Sequence, residues 1–421
     1  MDNSAANPTA GLTSARFESV LADCRGLLTA RGDYSGIGIA RRVIQSWDAM
    51  SAEECLQFLE RLATEFSPSP EEVAEAAETF RQSPVAANLV RLQQVCEPPR
   101  QELFRRLNMA EGGTRFIVDL RRRVLAELGR RPEWVGLDAD LVHLLRSWFN
   151  RGFLEMRRID WRTPALILDK LIQYESVHEI KGWRDLRRRL EADRRCYAFF
   201  HPALPDEPLI FIEIALTRSL QSEVAPLLDT ESPVNDPRSA AHAIFYSITN
   251  CQAGLRGISF GNFLIKQVAH DLAAEFPKLR RFATLSPIPG FREWLAAEAA
   301  AGVRPARNAV RWLEKIMTSE DLAGVSANRR WRLLSLCAKY LLHARRGAEP
   351  LDPVARFHLS NGAQLARLNW LADSSRSALQ RAAGIMVNYV YDLANVEKNH
   401  EAYARTGEIA CSPKFRKAAL S

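Results

Sequence analysis

The chain has 421 residues, enough for two or three domains and a sizeable buried core. Apolar residues make up 47%, charged residues 25%, and Gly and Pro number 21 each, which excludes collagen-like and linker-dominated chains. Lys plus Arg total 57 against 50 for Asp plus Glu, a net charge of +7 that suits a nucleic acid or a small acidic cofactor without choosing between them.

The first 160 residues read as helices. Ser51-Ala52-Glu53-Glu54 has the form of a capping box, and Cys55, Phe58, Leu59, Leu62 and Phe66 follow at amphipathic spacing. Ser69 is placed as an N-cap with Pro70 at the first helical position. Pro98-Pro99 and Gly112-Gly113 punctuate two further helices, and Leu137–Phe153 continues the pattern, with His143 and Trp148 expected in its core. No strand is expected before about residue 190. This pattern predicts an all-α bundle over 1–160 for packing or assembly.

The texture changes after Trp161. The basic stretch Lys181–Arg195 also carries Asp185, Glu191 and Asp193, and it reads as the solvated face of a helix. Cys196–Phe200, Leu209–Leu216, Ala243–Ile248 and Phe282–Leu285 are β-rich runs. A helix is expected over Asn262–Phe276, with others over Phe291–Ala301, Arg307–Met317 and Ala327–Arg346. Strand-like runs return at Phe357–Leu371 and Gly384–Tyr391. Residues 161–421 therefore read as an α+β domain.

No window reaches 18 consecutive apolar residues, so no membrane span is expected. The first residues resemble neither a signal peptide nor a transit peptide, and Ala419-Leu420-Ser421 is not a peroxisomal address, so a cytoplasmic protein is expected. Seven scattered cysteines without a CxxC pair argue against a disulfide framework and a zinc site, and point to mostly buried thiols in a reducing compartment. His201, His242, His270 and His343 lack metal-ligand spacing.

The stretch richest in chemistry is Arg256-Gly257-Ile258-Ser259-Phe260-Gly261-Asn262, between a strand and a helix. Such a loop presents backbone N–H groups and a helix dipole to a pyrophosphate. Taken alone, a tight structural turn explains it better: no Gly-Lys-Ser/Thr follows, and Gly257 and Gly261 are four apart.

In its setting the loop resembles the CoA-binding turn of the GNAT acetyltransferase superfamily, matching it at Arg256 and Gly261, with Ser259 in place of a glycine. A more specific resemblance covers Phe245–Leu295, with Leu285-Ser286-Pro287-Ile288-Pro289-Gly290-Phe291, and Phe357–Asp373, with Phe357-His358-Leu359 and Asn361-Gly362-Ala363, followed by Asn388–Tyr391. These runs resemble the catalytic core of the malonyl-CoA decarboxylase family. The resemblance implies a helical oligomerisation domain followed by a GNAT-like acyl-CoA-binding α+β domain. It also implies conversion of malonyl-CoA to acetyl-CoA and CO2 without a metal or an organic cofactor. Catalytic roles would fall on Ser286, His358 and Tyr391, and substrate binding on Arg256, Gly257, Ile258, Ser259, Phe260, Gly261 and Asn262. Many members carry a glutamate where this chain has Ser259.

For the chemistry, His358 at an ordinary imidazole pKa of about 6.5 would protonate the enolate, while Ser286 would grip the carboxylate or link it to His358. No nucleic-acid or membrane partner is implied, and the family suggests dimers or tetramers. The competing readings are a GNAT-type acyltransferase and a catalytically silent CoA-binding adaptor.

Overall fold

The computed structural model describes residues 8–29, 33–258, 264–316 and 318–420. They form two compact units, the first from the described residues of Met1–Leu154, His201–Pro205 and Gln252–Phe260, the second from those of Glu155–Phe200, Asp206–Cys251 and Gly261–Ser421.

Unit 1 is helical: α1 (Pro8–Thr29), α2 (Asp33–Asp48), α3 (Ala52–Thr64), α4 (Pro70–Gln82), α5 (Ala86–Cys96), α6 (Pro99–Asn108), α7 (Gly113–Glu127) and α8 (Val135–Trp148). The Ser51 box is present in both directions: Ser51 Oγ accepts from the Glu54 amide at 3.2 Å, and the Glu54 carboxylate accepts from the Ser51 amide at 2.8 Å. Cys55, Phe58, Leu59 and Leu62 are buried as their spacing requires, and Ser69 caps α4. His143 departs from expectation. It lies on the exposed side of α8, because Leu141, Leu144 and Leu145 already fill the buried stripe.

Unit 2 is built on an eight-stranded sheet. Its strands are β1 (Glu155–Ile159), β2 (Arg194–Phe200), β3 (Ile210–Thr217), β4 (His242–Asn250), β5 (Arg281–Thr284) and β6 (Ser286–Pro287), with β9 and β10 following. A separate two-stranded hairpin pairs β7 (Arg345–Arg346) with β8 (Glu349–Pro350). The sheet order is β1-β2-β3-β4-β5-β10-β6, where β10 is Met386–Tyr391 and also pairs with β9 (Gln364–Asn369). β4 and β5 run parallel; the other pairs are antiparallel. The helices are α9 (Ala165–Tyr174), α10 (Trp183–Arg189), α11 (Ala225–Leu228), α12 (Leu264–Glu275), α13 (Phe291–Ala300), α14 (Arg304–Leu313), α15 (Ser319–Ala323), α16 (Ala327–His343), α17 (Pro353–Ser360), α18 (Arg376–Ala382), α19 (Val396–Thr406) and α20 (Pro413–Leu420). The chain as a whole is α+β, with its helical part first.

Three expectations are corrected. β1 is a strand well before residue 190; its sequence, Glu-Met-Arg-Arg-Ile, lacks apolar alternation because an edge strand takes its order from pairing with β2. Phe357–Ser360 is the last turn of α17 rather than a strand, and the β-run starts at Gln364. Finally, Lys181–Arg195 is not a solvated helix face. α10 stops at Arg189, β2 begins at Arg194, and Asp185, Arg188, Arg189, Asp193, Arg194 and Arg195 are buried. Arg189 donates to Asp185 at 2.9 Å and to Glu213 in the middle of β3 at 2.7 Å, while Arg188 forks onto Asp193 at 2.7 and 3.1 Å. These arginines tolerate burial because each meets a carboxylate.

Among the described residues, no helix is long and apolar enough to cross a membrane.

Candidate active site

Ser286 stands where the sheet changes partner. β4 and β5 pair in parallel only as far as Phe245 and Thr284. The Leu285 amide still donates to the Phe245 carbonyl at 3.0 Å, and Ser286-Pro287 then pairs with Val387 and Met386 of β10. β4 continues to Asn250 with β3 as its ladder partner, so the two strands part at Ser286. Pro287 lacks an N–H and holds a fixed φ, which suits a two-residue strand. The Ser286 hydroxyl is buried; it donates to Thr284 Oγ1 at 2.8 Å and lies 3.1 Å from His358 Nε2.

His358 sits in the last turn of α17. Asp352 caps that helix, accepting from the Val354 and Ala355 amides at 3.0 and 2.9 Å, and Pro353 opens it. Gly362 ends the turn at φ +81°, and a Cβ there would stand 2.0 Å from the Val396 carbonyl oxygen. The Asn361-Gly362 pair is therefore part of what aims the histidine. His358 Nδ1 is 2.8 Å from the Tyr391 hydroxyl. Tyr389 stacks on the ring at 4.5 Å and 28°, and Phe357 meets it edge-on at 5.1 Å. Tyr389 and Tyr391 are two apart on β10 and so share a face.

Burial of His358 pushes its pKa down to about 3, which replaces the ordinary value expected from sequence. The ring is neutral at pH 7. The hydrogen bonds close around that form: Ser286 gives its proton to Thr284, His358 Nε2–H donates to Ser286 Oγ, and bare Nδ1 accepts from Tyr391. This tautomer is assigned from the network. Burial likewise holds the Tyr391 phenol well above its usual range.

Ser286, His358 and Tyr391 thus form one buried chain in unit 2. The expected substrate loop is described only in part. Ser259, Phe260, Gly261 and Asn262 lie outside the described residues, and Arg256, Gly257 and Ile258 belong to unit 1. There the amides of Arg256 and Ile258 are spent on the turn, donating to Ala253 and Leu255 at 3.2 and 3.0 Å, rather than left free. Buried Arg121 of α7 donates to the carbonyls of Gly254 at 2.6 Å and Arg256 at 2.9 Å, and it pairs with Asp138. A Cβ on Gly254 would stand 1.9 Å from the Val118 carbonyl oxygen, so the turn Ala253–Leu255 just before Arg256 lies directly against α7.

Two residues escaped the sequence reading. Thr284 accepts from both Ser286 and the Tyr389 amide (3.2 Å), and its carbonyl accepts from Asn388 Nδ2 at 2.7 Å. Within Phe-Ala-Thr-Leu it reads simply as a β-branched strand residue. Tyr389 carried a usable signal in its two-residue spacing from Tyr391. Among the described residues, no group of three or more His, Cys, Asp or Glu side chains is placed to hold a metal ion.

Comparison with known proteins adds to this geometry. The family model "Malonyl-CoA decarboxylase C-terminal domain" matches residues 152–420, and "Malonyl-CoA decarboxylase N-terminal domain" matches residues 66–149. The mitochondrial malonyl-CoA decarboxylase of Anser anser anser is 36% identical over 343 residues, covering 75% of this chain and 68% of that one. That of Rattus norvegicus is 34% identical over 400 residues, covering 86% and 81%. Crystal structures of malonyl-CoA decarboxylases from Rhodopseudomonas palustris and Agrobacterium vitis are each 46% identical to this chain, with TM-scores of 0.90 and 0.87. Each match covers 95% of this chain and 99% of that structure.

Proposed function

We infer, from a chain that belongs to the malonyl-CoA decarboxylase family, that it is a carboxy-lyase converting malonyl-CoA to acetyl-CoA and CO2 with Ser286, His358 and Tyr391 as its working groups. The observation that carries the residue assignment is the unbroken hydrogen-bond chain from Ser286 through neutral His358 to Tyr391.

Loss of CO2 leaves the bond's electron pair on the thioester as an enolate, which needs a proton at C2. In our reading the Ser286 hydroxyl turns from Thr284 to the substrate carboxylate and frees His358 Nε2–H. That proton passes to C2 while Tyr391 gives its own to Nδ1, so the ring changes tautomer without becoming charged. A thioester enolate is a much stronger base than a phenolate, so the transfer runs downhill; the ring resets when Nδ1 returns its proton to the Tyr391 phenolate as water reprotonates Nε2, leaving hydroxide. No imidazolium is required, in keeping with the low pKa of His358. The chemistry as written uses no metal or organic cofactor.

The loop from Arg256 to Asn262 is our reading of the malonyl-CoA-binding segment, supported by its likeness to the CoA turn. Assembly into dimers or tetramers and a cytoplasmic location complete the proposal.

The test is incubation of the purified protein with malonyl-CoA, following acetyl-CoA and CO2. Turnover that is lost in Ser286→Ala and His358→Ala supports both reaction and roles. CoA binding without turnover would turn attention to an acyltransferase or a silent binding protein.

A further inference from the structure

Many of this protein's arginines meet carboxylates, on the surface as well as inside. The face formed by α14, α15 and α16 of unit 2 carries cations without such partners among the described residues. It encloses a groove of about 1480 Å³. Arg304 and Arg311 of α14 and Lys315 just beyond it line one side; Arg329, Arg332 and Lys339 of α16 line the other. Each set recurs at helical spacing, so two cationic rows face one concavity. Among the described residues, none of the six is in an ion pair.

The acidic residues in the lining are Glu314 and Asp321, and Asp321 is already committed to the Thr318 amide at the start of α15. Arg311 and Lys315 are four apart and Arg329 and Arg332 three apart, spacings at which like charges repel along a helix. A concave wall concentrates that potential further. Trp312 and Trp331 also line the groove, and Trp331 is 46% exposed.

We propose that this groove binds an organic polyphosphate bearing an aromatic base, an adenine nucleotide in chemical class. The cationic rows take the phosphates by charge-assisted hydrogen bonds, and a tryptophan face takes the base. The nucleotide has two possible sources: a free effector, or the nucleotide end of a CoA thioester.

The experiment titrates the full-length protein with ATP by calorimetry and tryptophan fluorescence, with inorganic triphosphate as the second probe. Saturable ATP binding is expected, weakening steeply between roughly 50 and 300 mM salt as screening sets in. Arg311→Glu/Arg332→Glu lowers the affinity at least about tenfold, and the gentler Arg311→Gln/Arg332→Gln does so with an unchanged circular dichroism spectrum. Trp331→Ala weakens ATP but not triphosphate.

If the groove serves the CoA nucleotide, the double variants raise KM for malonyl-CoA and ATP competes with it. If it serves a free nucleotide, KM is unchanged and ATP still binds with CoA at saturation. Absence of ATP binding by the parent at low salt overturns the proposal, as does binding that survives both double substitutions. A change of mass in light scattering on Arg311→Glu/Arg332→Glu, in a parent that ignores ATP, also overturns it and makes the groove a contact between copies.

Discussion

Thr284 receives the Ser286 hydroxyl at 2.8 Å, holding the serine proton away from His358. The same Thr284 oxygen takes the Tyr389 amide, so the residue that orients the serine is itself held by the strand carrying the tyrosines. Replacing Thr284 by Val removes this acceptor at constant shape and leaves a buried amide without its partner, a change of about 1–3 kcal/mol. We expect kcat to fall about tenfold with KM little changed, and Thr284→Ser to restore it. A Thr284→Val protein with parental kcat would remove Thr284 from the mechanism.

Tyr391→Phe deletes the hydroxyl that recharges His358 Nδ1. Steady-state assays should give a kcat lower by about a hundredfold or more, on the scale of general acid–base effects. In the parent, log kcat should run flat from pH 6 to 8 because the imidazole is neutral throughout. Activity that declines with a midpoint near the ordinary histidine value would instead identify imidazolium as the acid and sink the tautomer exchange.

The same depressed pKa sets an acid sensitivity. Between about 3, where His358 titrates in the fold, and 6.5, its ordinary value, the unfolded chain holds a proton that the native state lacks. Stability therefore increases with pH across that window, by up to about 1.4 kcal/mol per pH unit for this one group, and the contribution is fully present above pH 6.5. His178 and His201 are shifted in the same direction by burial, so the parent alone cannot isolate the effect. Urea unfolding of parent and His358→Gln at pH 7 and pH 5 should show a loss on acidification about 2 kcal/mol greater in the parent. Equal losses would contradict the assignment.

Arg189 and Glu213 are each about 2% exposed and joined at 2.7 Å. Burial pushes the Glu213 carboxyl upward, and the guanidinium of Arg189 opposes that push. Arg189→Met alone leaves carboxylates buried without a cation and should cost about 3–5 kcal/mol. Arg189→Met with Glu213→Leu should be less damaging than the sum of the single changes, as a double-mutant cycle by thermal melting would report.

Local chemistry was legible in the sequence where a residue's partners are its near neighbours. The Ser51 capping box, the Ser69-Pro70 helix start and the apolar run of β3 each contain their own explanation within a few residues. Ser286, His358 and Tyr391 were legible through family likeness, since nothing in their spacing brings residues 72 and 33 positions apart into contact. What stayed hidden depends on long-range pairing. The arginines after Lys181 look solvated until Glu213, 24 residues from Arg189, arrives from β3. His358 looks like a strand residue unless Asp352-Pro353 is taken as a helix start. Its pKa is a property of enclosure, which no local pattern encodes.

Unit 1 is assembled from three separate stretches of chain. Trp148 offers its carbonyl to His201 Nε2 at 3.1 Å, Phe149 rests against the same imidazole at 4.7 Å, and Arg121 spends two of its hydrogen bonds on residues near 255. A fragment truncated after Leu154 would therefore keep the whole helical sequence yet lose the acceptors of a buried guanidinium. The segment boundary that family models draw near residue 150 is a bookmark in evolutionary description, and a poor place for scissors.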